Sequence, residues 1–453
     1  MDDNCQIFQK PFPDCMSMQG KKQKYGIKQT EPFLFTERVR FLLIIAARYV
    51  MIIKKARGIY MSERWVQAWG QAHSALSYFY YPSCPKTYRM VVCSPISGKS
   101  LRMELSNEYA KNDVYIGGIT AAKCDKDGSF TDECKTVSVS SETVFCIKKG
   151  EAVKTDPIDF SVETGEYFCI SIYVEKGALR SGNLIDSVEL ITVRGDVTKE
   201  RSVTNQRRKR DKVREVASNL LRMYFHKPIP LFQSVELLND TGAGAITVFG
   251  DSISQQGYWT NAFEKRIRSE FPGRYSVINK SIMGNRTLRD FSTRFFCKGL
   301  FGISGLNRLE RDILNYEDTE YVIYALGTND FLQYNTIAAP KSEKPTAKEH
   351  FDAVAGISDL LEKHGKKLVV FNVMNFGEYI DSRPEKEAMV KEYNAMLKEN
   401  ADRFHAVYDQ ADLVLNPDKP HCSKKEYLGK DYLHPNKKGG KLVADNVELD
   451  WFR

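Results

Sequence analysis

The first half of the chain alternates apolar and polar residues with a period of two. Leu101, Met103 and Leu105, for example, are separated by Arg102 and Glu104. Runs of this kind are bounded by Gly, Asp, Asn and Pro, which favour turns. Between residues 86 and 195 they lie at 88–96, 100–106, 143–147, 157–163 and 167–174. Short strands at this spacing predict an antiparallel β-sandwich.

From about residue 245 onward, apolar β-like runs alternate with helical patterns. The β-like runs lie at 245–249, 275–279, 320–326, 367–373 and 405–408, and the helical patterns lie near 259–270, 305–315, 347–364 and 384–403. Pro384 suits a first helical turn, and Gly365 suits the end of a helix. This alternation predicts an α/β fold with about five parallel strands and helices on both faces of the sheet.

Chain length and these two patterns together predict two domains, because 453 residues are too many for one ordinary core. We predict a β-sandwich domain over residues 61–200, a linker over 201–244 and an α/β domain over 245–453. Residues 1–60 are predicted to be an extension outside the fold, since Met61 opens a sequence that would make a natural start.

The formal charge of +8 is concentrated at the N-terminus, where residues 1–60 hold 11 Lys and Arg against 5 Asp and Glu. No nucleic-acid-binding motif accompanies this charge, so nucleic acid is not an expected partner. The apolar stretch 41–53 is too short to span a bilayer and contains Arg48, which argues against stable membrane insertion. It also lacks the cleavage site of a signal peptide, and the ten cysteines form no C-x-x-C pair and no zinc-ligand spacing. We therefore expect a cytoplasmic protein without a metal.

Polar clusters follow the β-like runs of the second half, where ligands bind in parallel sheets. They are "GDS" with Ser252, "SIMGN" with Gly284, "GTND" with Asn329 and, near the C-terminus, "DYLHPN" with Asp431 and His434. A serine becomes a nucleophile when a histidine takes its proton, and an aspartate holds that histidine in the right tautomer. The N–H groups of Ser252 and Gly284 and the Asn329 amide are candidate donors to an oxyanion.

These four blocks resemble those of the GDSL, or SGNH, hydrolase superfamily over residues 245–453. The first half resembles the β-sandwich of a subgroup of bacterial GDSL lipase/esterase-like proteins, through "SGKSLRMELSNEY", "KNDVYIGGITAA" and "KTDPIDFSVETGEYFCISIYV". The resemblance implies a three-layer α/β/α, flavodoxin-like fold, ester hydrolysis through a serine acyl-enzyme, and no cofactor or metal. The sequence departs from the family pattern in two places: isoleucine replaces the leucine of "GDSL", and Ser254-Gln255-Gln256 replaces the usual Thr-Asp/Glu-Gly.

The resemblance implies a serine esterase with Ser252, Asp431 and His434 as its triad. We expect small acyl groups of the acetyl type, with a small-molecule or carbohydrate ester as substrate. Two alternatives stay open: a lipase or lysophospholipase-like enzyme, and a glycan-binding protein with a degenerate hydrolase domain. Asp330 is expected either to organise the loop that presents Asn329 or to cap a helix. No feature of the sequence indicates an oligomeric state.

Overall fold

The computed structural model describes residues 62–76, 85–185, 187–204, 228–292 and 299–453. The predicted extension at 1–60, and with it the apolar stretch 41–53, lies outside these residues. Within the described ranges, no helix is long and apolar enough to cross a membrane.

The first half of the described chain consists of short strands. They are β1 Arg64–Gly70, β2 Ser74–Ala75, β3 Lys86–Cys93, β4 Gly98–Ser106, β5 Val114–Lys123, β6 Lys135–Val137, β7 Phe145–Ile147, β8 Ala152–Lys154, β9 Ile158–Val162, β10 Tyr167–Lys176, β11 Ser181–Asn183, β12 Glu189–Arg194, β13 Ile229–Pro230 and β14 Phe232–Asn239. They form one sheet in the order β1-β14-β4-β8, with β9 also on β4. A second has the order β12-β3-β10-β5-β6, with β7 also on β5, and a small third sheet is β13-β11-β2.

The two larger sheets share one hydrophobic core. Leu101, Met103 and Leu105 of β4 are fully buried in it, together with Ile170 and Ile172 of β10. The apolar positions of the period-two pattern therefore point inward from both sheets. All pairings within these sheets are antiparallel, which confirms the predicted sandwich.

The predicted linker over 201–244 needs a correction at its C-terminal end. Strand β14 lies inside that range and pairs with β1 on one side and β4 on the other. Its polar residues lie at an interface with the second half of the chain; the Gln233 amide, for example, is within 3.4 Å of the Tyr316 hydroxyl. Glu236 is 3% exposed because Arg102 and Lys154 pair with it. The strand is thus covered on both faces, and its polar residues are buried by partners distant in sequence.

The second half forms a five-stranded parallel sheet in the order β16-β15-β17-β18-β19. Its strands are β15 Gly244–Gly250, β16 Tyr275–Asn279, β17 Thr319–Ala325, β18 Lys367–Phe371 and β19 Ala406–Tyr408. The α-helices are α1 Ser252–Gln255, α2 Thr260–Glu270, α3 Gly305–Leu309, α4 Thr328–Gln333, α5 Ala347–Lys363, α6 Pro384–Glu399, α7 Gln410–Leu413 and α8 Lys437–Asp445. A π-helical turn, Glu310–Leu314, continues α3, and 3-10 turns lie at Lys341–Glu343, Ala401–Arg403, Lys425–Tyr427 and Leu449–Phe452.

Helices cover both faces of the parallel sheet. On one face, Val322 and Val370 pack with Val354 of α5 and Val390 of α6. On the other face, Ile323 and Val369 pack with side chains of α2 and α8, such as Phe263 and Val443. The helices on each face bury the sheet residues that point to that face, which explains why the strands are continuous apolar runs in the sequence. The three-layer α/β/α prediction is confirmed.

We predict opposite effects of alanine at two helical glycines. A Cβ at Gly439 in α8 would lie 2.1 Å from the backbone oxygen of Tyr427, so Gly439→Ala should destabilise the fold by about 1–3 kcal/mol. The matched control is Gly356→Ala in α5, where a Cβ would meet nothing within 4 Å. That variant should stabilise the protein by up to about 1 kcal/mol, because alanine is the better helix former. Urea unfolding measures both, and equal effects at the two positions would contradict the packing of α8.

Candidate active site

Ser252 lies at the carboxyl end of β15, the second strand in the order of the parallel sheet. Strand β15 is buried along its whole length and ends at Gly250. Asp251 then adopts an extended conformation and caps α1, because its Oδ1 accepts the N–H of Ile253 at 3.0 Å. The cap starts a helix directly after the strand, so the Ser252 side chain stands at the sheet edge.

The structure brings Ser252, His434 and Asp431 into one chain of hydrogen bonds. His434 Nε2 lies 2.7 Å from Ser252 Oγ, although the two residues are 182 positions apart. His434 Nδ1 lies 2.6 Å from Asp431 Oδ2. The other oxygen of Asp431 accepts the backbone N–H groups of Leu433 and His434, each at 3.1 Å. One carboxylate oxygen thus holds the turn, and the other holds the imidazole.

Asp431 is suited to stay ionised beside the imidazole. Burial by itself pushes its pKa up, but the hydrogen bond and charge of His434 and the two N–H groups lower the pKa below the ordinary value for aspartate. With Nδ1 donating to this carboxylate, Nε2 carries the lone pair that faces the Ser252 hydroxyl. The arrangement can therefore take a proton from Ser252.

Two of the three predicted oxyanion donors are backbone N–H groups. Those of Ser252 and Gly284 donate to no other group in the part of the chain that the structure describes. Gly284 has φ +66°, and a Cβ there would lie 2.5 Å from the Phe301 ring. Both the backbone conformation and the close approach of the ring require glycine at this position.

The third predicted donor, the Asn329 amide, is engaged. Its Nδ2 donates to Asp251 Oδ2 at 3.2 Å and to the backbone oxygen of Asn285 at 3.1 Å. The side-chain amide of Gln333 donates to Asn329 Oδ1 at 3.0 Å and to the backbone oxygen of Gly284 at 2.8 Å. These bonds fix the amide plane and tie α4 to the loop that carries Gly284.

Asp330 organises a loop, but not the one that presents Asn329. Its two carboxylate oxygens accept the backbone N–H groups of Thr287 and Leu288 at 2.8 and 2.9 Å. It therefore holds the chain that follows Gly284. Burial raises its pKa, but His350, 3.5 Å away, and these two N–H groups lower the pKa below the ordinary value.

Asp251 has the opposite electrostatics. It is 1% exposed, and burial raises the pKa of its carboxyl to about 7, although the N–H of Ile253 and the charge of His434 act to lower the pKa. The ionised charge of Asp330 also raises it. Two carboxylates of one site thus differ because one has several strong donors and the other has few.

Arg308 supports the site and was missed from the sequence. It is 0% exposed, and its guanidinium donates to the backbone oxygens of Lys280 and Gly250 at 2.7 and 3.2 Å. It also donates to Asn285 Oδ1 at 2.9 Å and to Asp312 at 2.9 Å. The only sequence signal is an Arg–Asp pair four residues apart in a predicted helix, which is also typical of an exposed helix face.

The residues after the nucleophile have structural contacts. Trp259, 1% exposed, packs against Phe263 and Phe371, with ring centroids 6.2 and 5.0 Å away. Gln256 donates to the backbone oxygen of Pro435 at 3.0 Å, next to His434. Among the residues that the structure describes, no group of three or more His, Cys, Asp or Glu side chains could hold a metal ion.

Comparison with known proteins finds a family model that spans this site. Residues 248–442 match the model of the GDSL-like lipase/acylhydrolase family. A comparison with curated proteins found no match.

Solved structures with low identity align over a little less than half of this chain. An acetyl xylan esterase, AlAXEase, is 21% identical, covers 44% of this chain and 96% of its own, and has a TM-score of 0.35. A variant of the acetyl xylan esterase Axe2 from Geobacillus stearothermophilus is 16% identical, with 46% and 95% covered and a TM-score of 0.36. A GDSL-like lipase from Bacteroides thetaiotaomicron is 18% identical, with 46% and 88% covered and a TM-score of 0.32.

We predict opposite pH dependences of stability for Asp251→Asn and Asp330→Asn. Folded Asp251 keeps its proton up to about pH 7, whereas the unfolded carboxyl loses it near pH ~4. The wild type should therefore lose stability relative to Asp251→Asn as pH rises through this window, by up to about 1.4 kcal/mol per pH unit.

Asp330 has a lowered pKa, so its contribution is present above about pH 4 and is lost as pH falls through its folded pKa. The wild type should lose stability relative to Asp330→Asn towards acid pH. Urea unfolding of the three proteins between about pH 3 and 8 measures both slopes. Slopes of the same sign would contradict the charge arrangement.

Proposed function

The chain carries a GDSL-like lipase/acylhydrolase domain, a domain of ester-hydrolysing enzymes, over residues 248–442; on this premise we propose that it is a serine esterase with Ser252 as nucleophile. The observation that carries the proposal is the continuous hydrogen-bond chain from Ser252 through His434 to Asp431, with links of 2.7 and 2.6 Å. Such a chain gives a serine hydroxyl both a base and a support for the charged imidazole.

The reaction proceeds in two steps. Ser252 Oγ attacks the ester carbonyl while His434 takes its proton, and the developing oxyanion accepts the N–H groups of Ser252 and Gly284. Asn329 becomes a third donor by exchanging its long, 3.2 Å contact with Asp251 for the oxyanion. His434 then protonates the leaving alcohol, and in the second step it activates water that releases the acid and regenerates Ser252.

The substrate we propose is a short-acyl ester, of the acetyl type, on a carbohydrate. The Phe301 ring fills the space against Gly284 and packs edge-on to Phe291, with ring centroids 4.8 Å apart. This packing favours a short acyl group beside the loop that carries Gly284, which we call the oxyanion loop. Tyr432 directly follows Asp431 in the chain; the residue is 37% exposed, has φ +60°, and its ring centroid lies 5.0 Å from Lys425 Nζ. A partly exposed aromatic residue next to Asp431 suits contact with the apolar face of a sugar ring.

Ser252→Ala should abolish ester hydrolysis and leave the melting temperature nearly unchanged. Without the hydroxyl no acyl-enzyme forms, so kcat for p-nitrophenyl acetate should fall by more than about 10⁴-fold. The matched control is Ser358→Ala, which removes a side-chain bond to the backbone oxygen of Arg403 in another part of the domain and should keep full activity.

Labelling by a fluorophosphonate probe separates the esterase from a glycan-binding protein with a degenerate domain. The probe should modify the wild type and Ser358→Ala, and it should not modify Ser252→Ala. Turnover or labelling retained in Ser252→Ala would remove this serine as the nucleophile.

We predict that Tyr432→Ala raises KM for acetylated xylo-oligosaccharides by about 3- to 10-fold, since one aromatic contact contributes about 0.5–1.5 kcal/mol. Hydrolysis of p-nitrophenyl acetate should stay unchanged, and Tyr432→Phe should behave as the wild type on both substrates. In a chain-length series, kcat/KM should be highest for the acetate. A higher kcat/KM for the octanoate would instead favour the lipase alternative.

A further inference from the structure

One side chain of the β-sandwich reaches into the hydrolase domain between two parts of the candidate active site. Asn183 ends strand β11, and it is 1% exposed. Its Nδ2 donates to the backbone oxygen of Ser281 at 2.8 Å. Its Oδ1 accepts the side-chain amide of Gln255. The amide of Asn183 therefore bridges α1, the helix that begins with Ser252, and the loop that leads to Gly284.

Each of the three residues in this bridge, Asn183, Gln255 and Ser281, has a further hydrogen bond that fixes its position. Asn183 Oδ1 also accepts the N–H of Leu184 at 2.8 Å, which fixes the orientation of the amide plane. Gln255 is 4% exposed, and its backbone N–H donates to the Asp251 oxygen at 2.9 Å. The backbone oxygen of Ser281 accepts the Asn183 amide, and the backbone N–H of Ser281 donates to Asn279 Oδ1 at 3.1 Å. None of these groups has freedom to adopt another arrangement without breaking a buried hydrogen bond.

Apolar packing beside the bridge joins the same segments. Leu76 and Leu184 of the sandwich form a buried cluster with Leu300, and Met283 and Phe301 pack against it. Met283 directly precedes Gly284, and Phe301 lies against Gly284 itself. The sandwich thus contacts the oxyanion loop both through a hydrogen bond at Ser281 and through packing at its tip.

The contact also explains the unusual sequence after the nucleophile. The donor that Asn183 Oδ1 requires comes from the amide of Gln255. A carboxylate at position 255, as in the usual Thr-Asp/Glu-Gly continuation, would place a negative charge against the Asn183 oxygen and would remove the donor. The glutamine is therefore the residue type that matches an asparagine supplied from the other domain.

We propose that Asn183 is a positioning residue for ester hydrolysis, acting through Gln255 and Ser281 to set the spacing between the Ser252 and Gly284 N–H groups. This inference rests on the proposed function. It assigns the sandwich a role inside the active site, because the two oxyanion donors lie on segments that this one amide joins. A displacement of either donor weakens the transition state more than the bound substrate.

Asn183→Ala tests the proposal with p-nitrophenyl acetate, assayed well below the melting temperature. We expect kcat to fall by about 10-fold or more with KM changed less than about 2-fold, since the lost alignment is felt in the transition state. Arg268→Ala is the matched interface control. It removes a side-chain bond from α2 to the Cys93 oxygen of the sandwich, 2.8 Å long, away from the site. It should keep the wild-type kcat even where it lowers the melting temperature.

If Asn183→Ala does not fold, Gln255→Met still tests the proposal. The double variant combines Asn183→Ala with Gln255→Met. Gln255→Met should also lower kcat at constant KM. The double variant should be no slower than Asn183→Ala, because both changes break the same bridge. A wild-type kcat in Gln255→Met, or losses that multiply in the double variant, would overturn the proposal. An inactive wild type would remove the proposed function itself, whereas an active wild type with active Asn183→Ala removes only the role of Asn183.

Discussion

The buried guanidinium of Arg308 is the interaction on which the geometry of the site depends. Removing a cation from water is costly, so its donors must all find partners. They find them in the backbone oxygens of Gly250 and Lys280, just at the ends of neighbouring strands β15 and β16, and in Asp312. Burial lowers the pKa of Arg308 and raises that of Asp312, but Arg311 and Arg308 bring the Asp312 pKa down to about 2. The ion pair therefore stays charged, and it holds the two strand ends at a fixed separation.

The same charges join the two domains. Arg311 pairs with Asp312 on one side and on the other donates to Glu108 and the Tyr109 hydroxyl of the sandwich, at 3.0 and 2.8 Å. Lys280 is fully buried close by; its ammonium lies 4.2 Å from the Tyr316 ring centroid and 3.3 Å from the Gln71 oxygen. Burial lowers its pKa to about 8. A hydrolase domain without the sandwich would expose these groups, so the two domains stabilise each other.

Sequence periodicity predicted β3, β4, β7, β9 and β10 but missed β1, β5 and β12, and the strand–helix alternation predicted the parallel sheet. It failed where polar residues are buried by partners distant in sequence. Strand β14 lies inside the predicted linker, although the other domain and two basic side chains cover its Gln233 and Glu236. The sequence did not predict the roles of Asn183 and Arg308 for the same reason, since these roles exist only in the contacts that folding creates. The strand-end residues were predictable because sheet topology alone brings them to one edge.

The short segment after Ser252 ties the separate parts of the site together. Gln255 binds the sandwich through Asn183, and Gln256 binds Pro435, the neighbour of His434. Two residues further on, Tyr258 packs so closely that a Cβ at Gly440 of α8 would lie 2.5 Å from it. The imidazole comes from the C-terminal region, far from β15 in the chain, and it needs such an anchor to meet the serine at 2.7 Å. One segment therefore contacts both the residue next to His434 and, through Asn183, the loop that leads to Gly284.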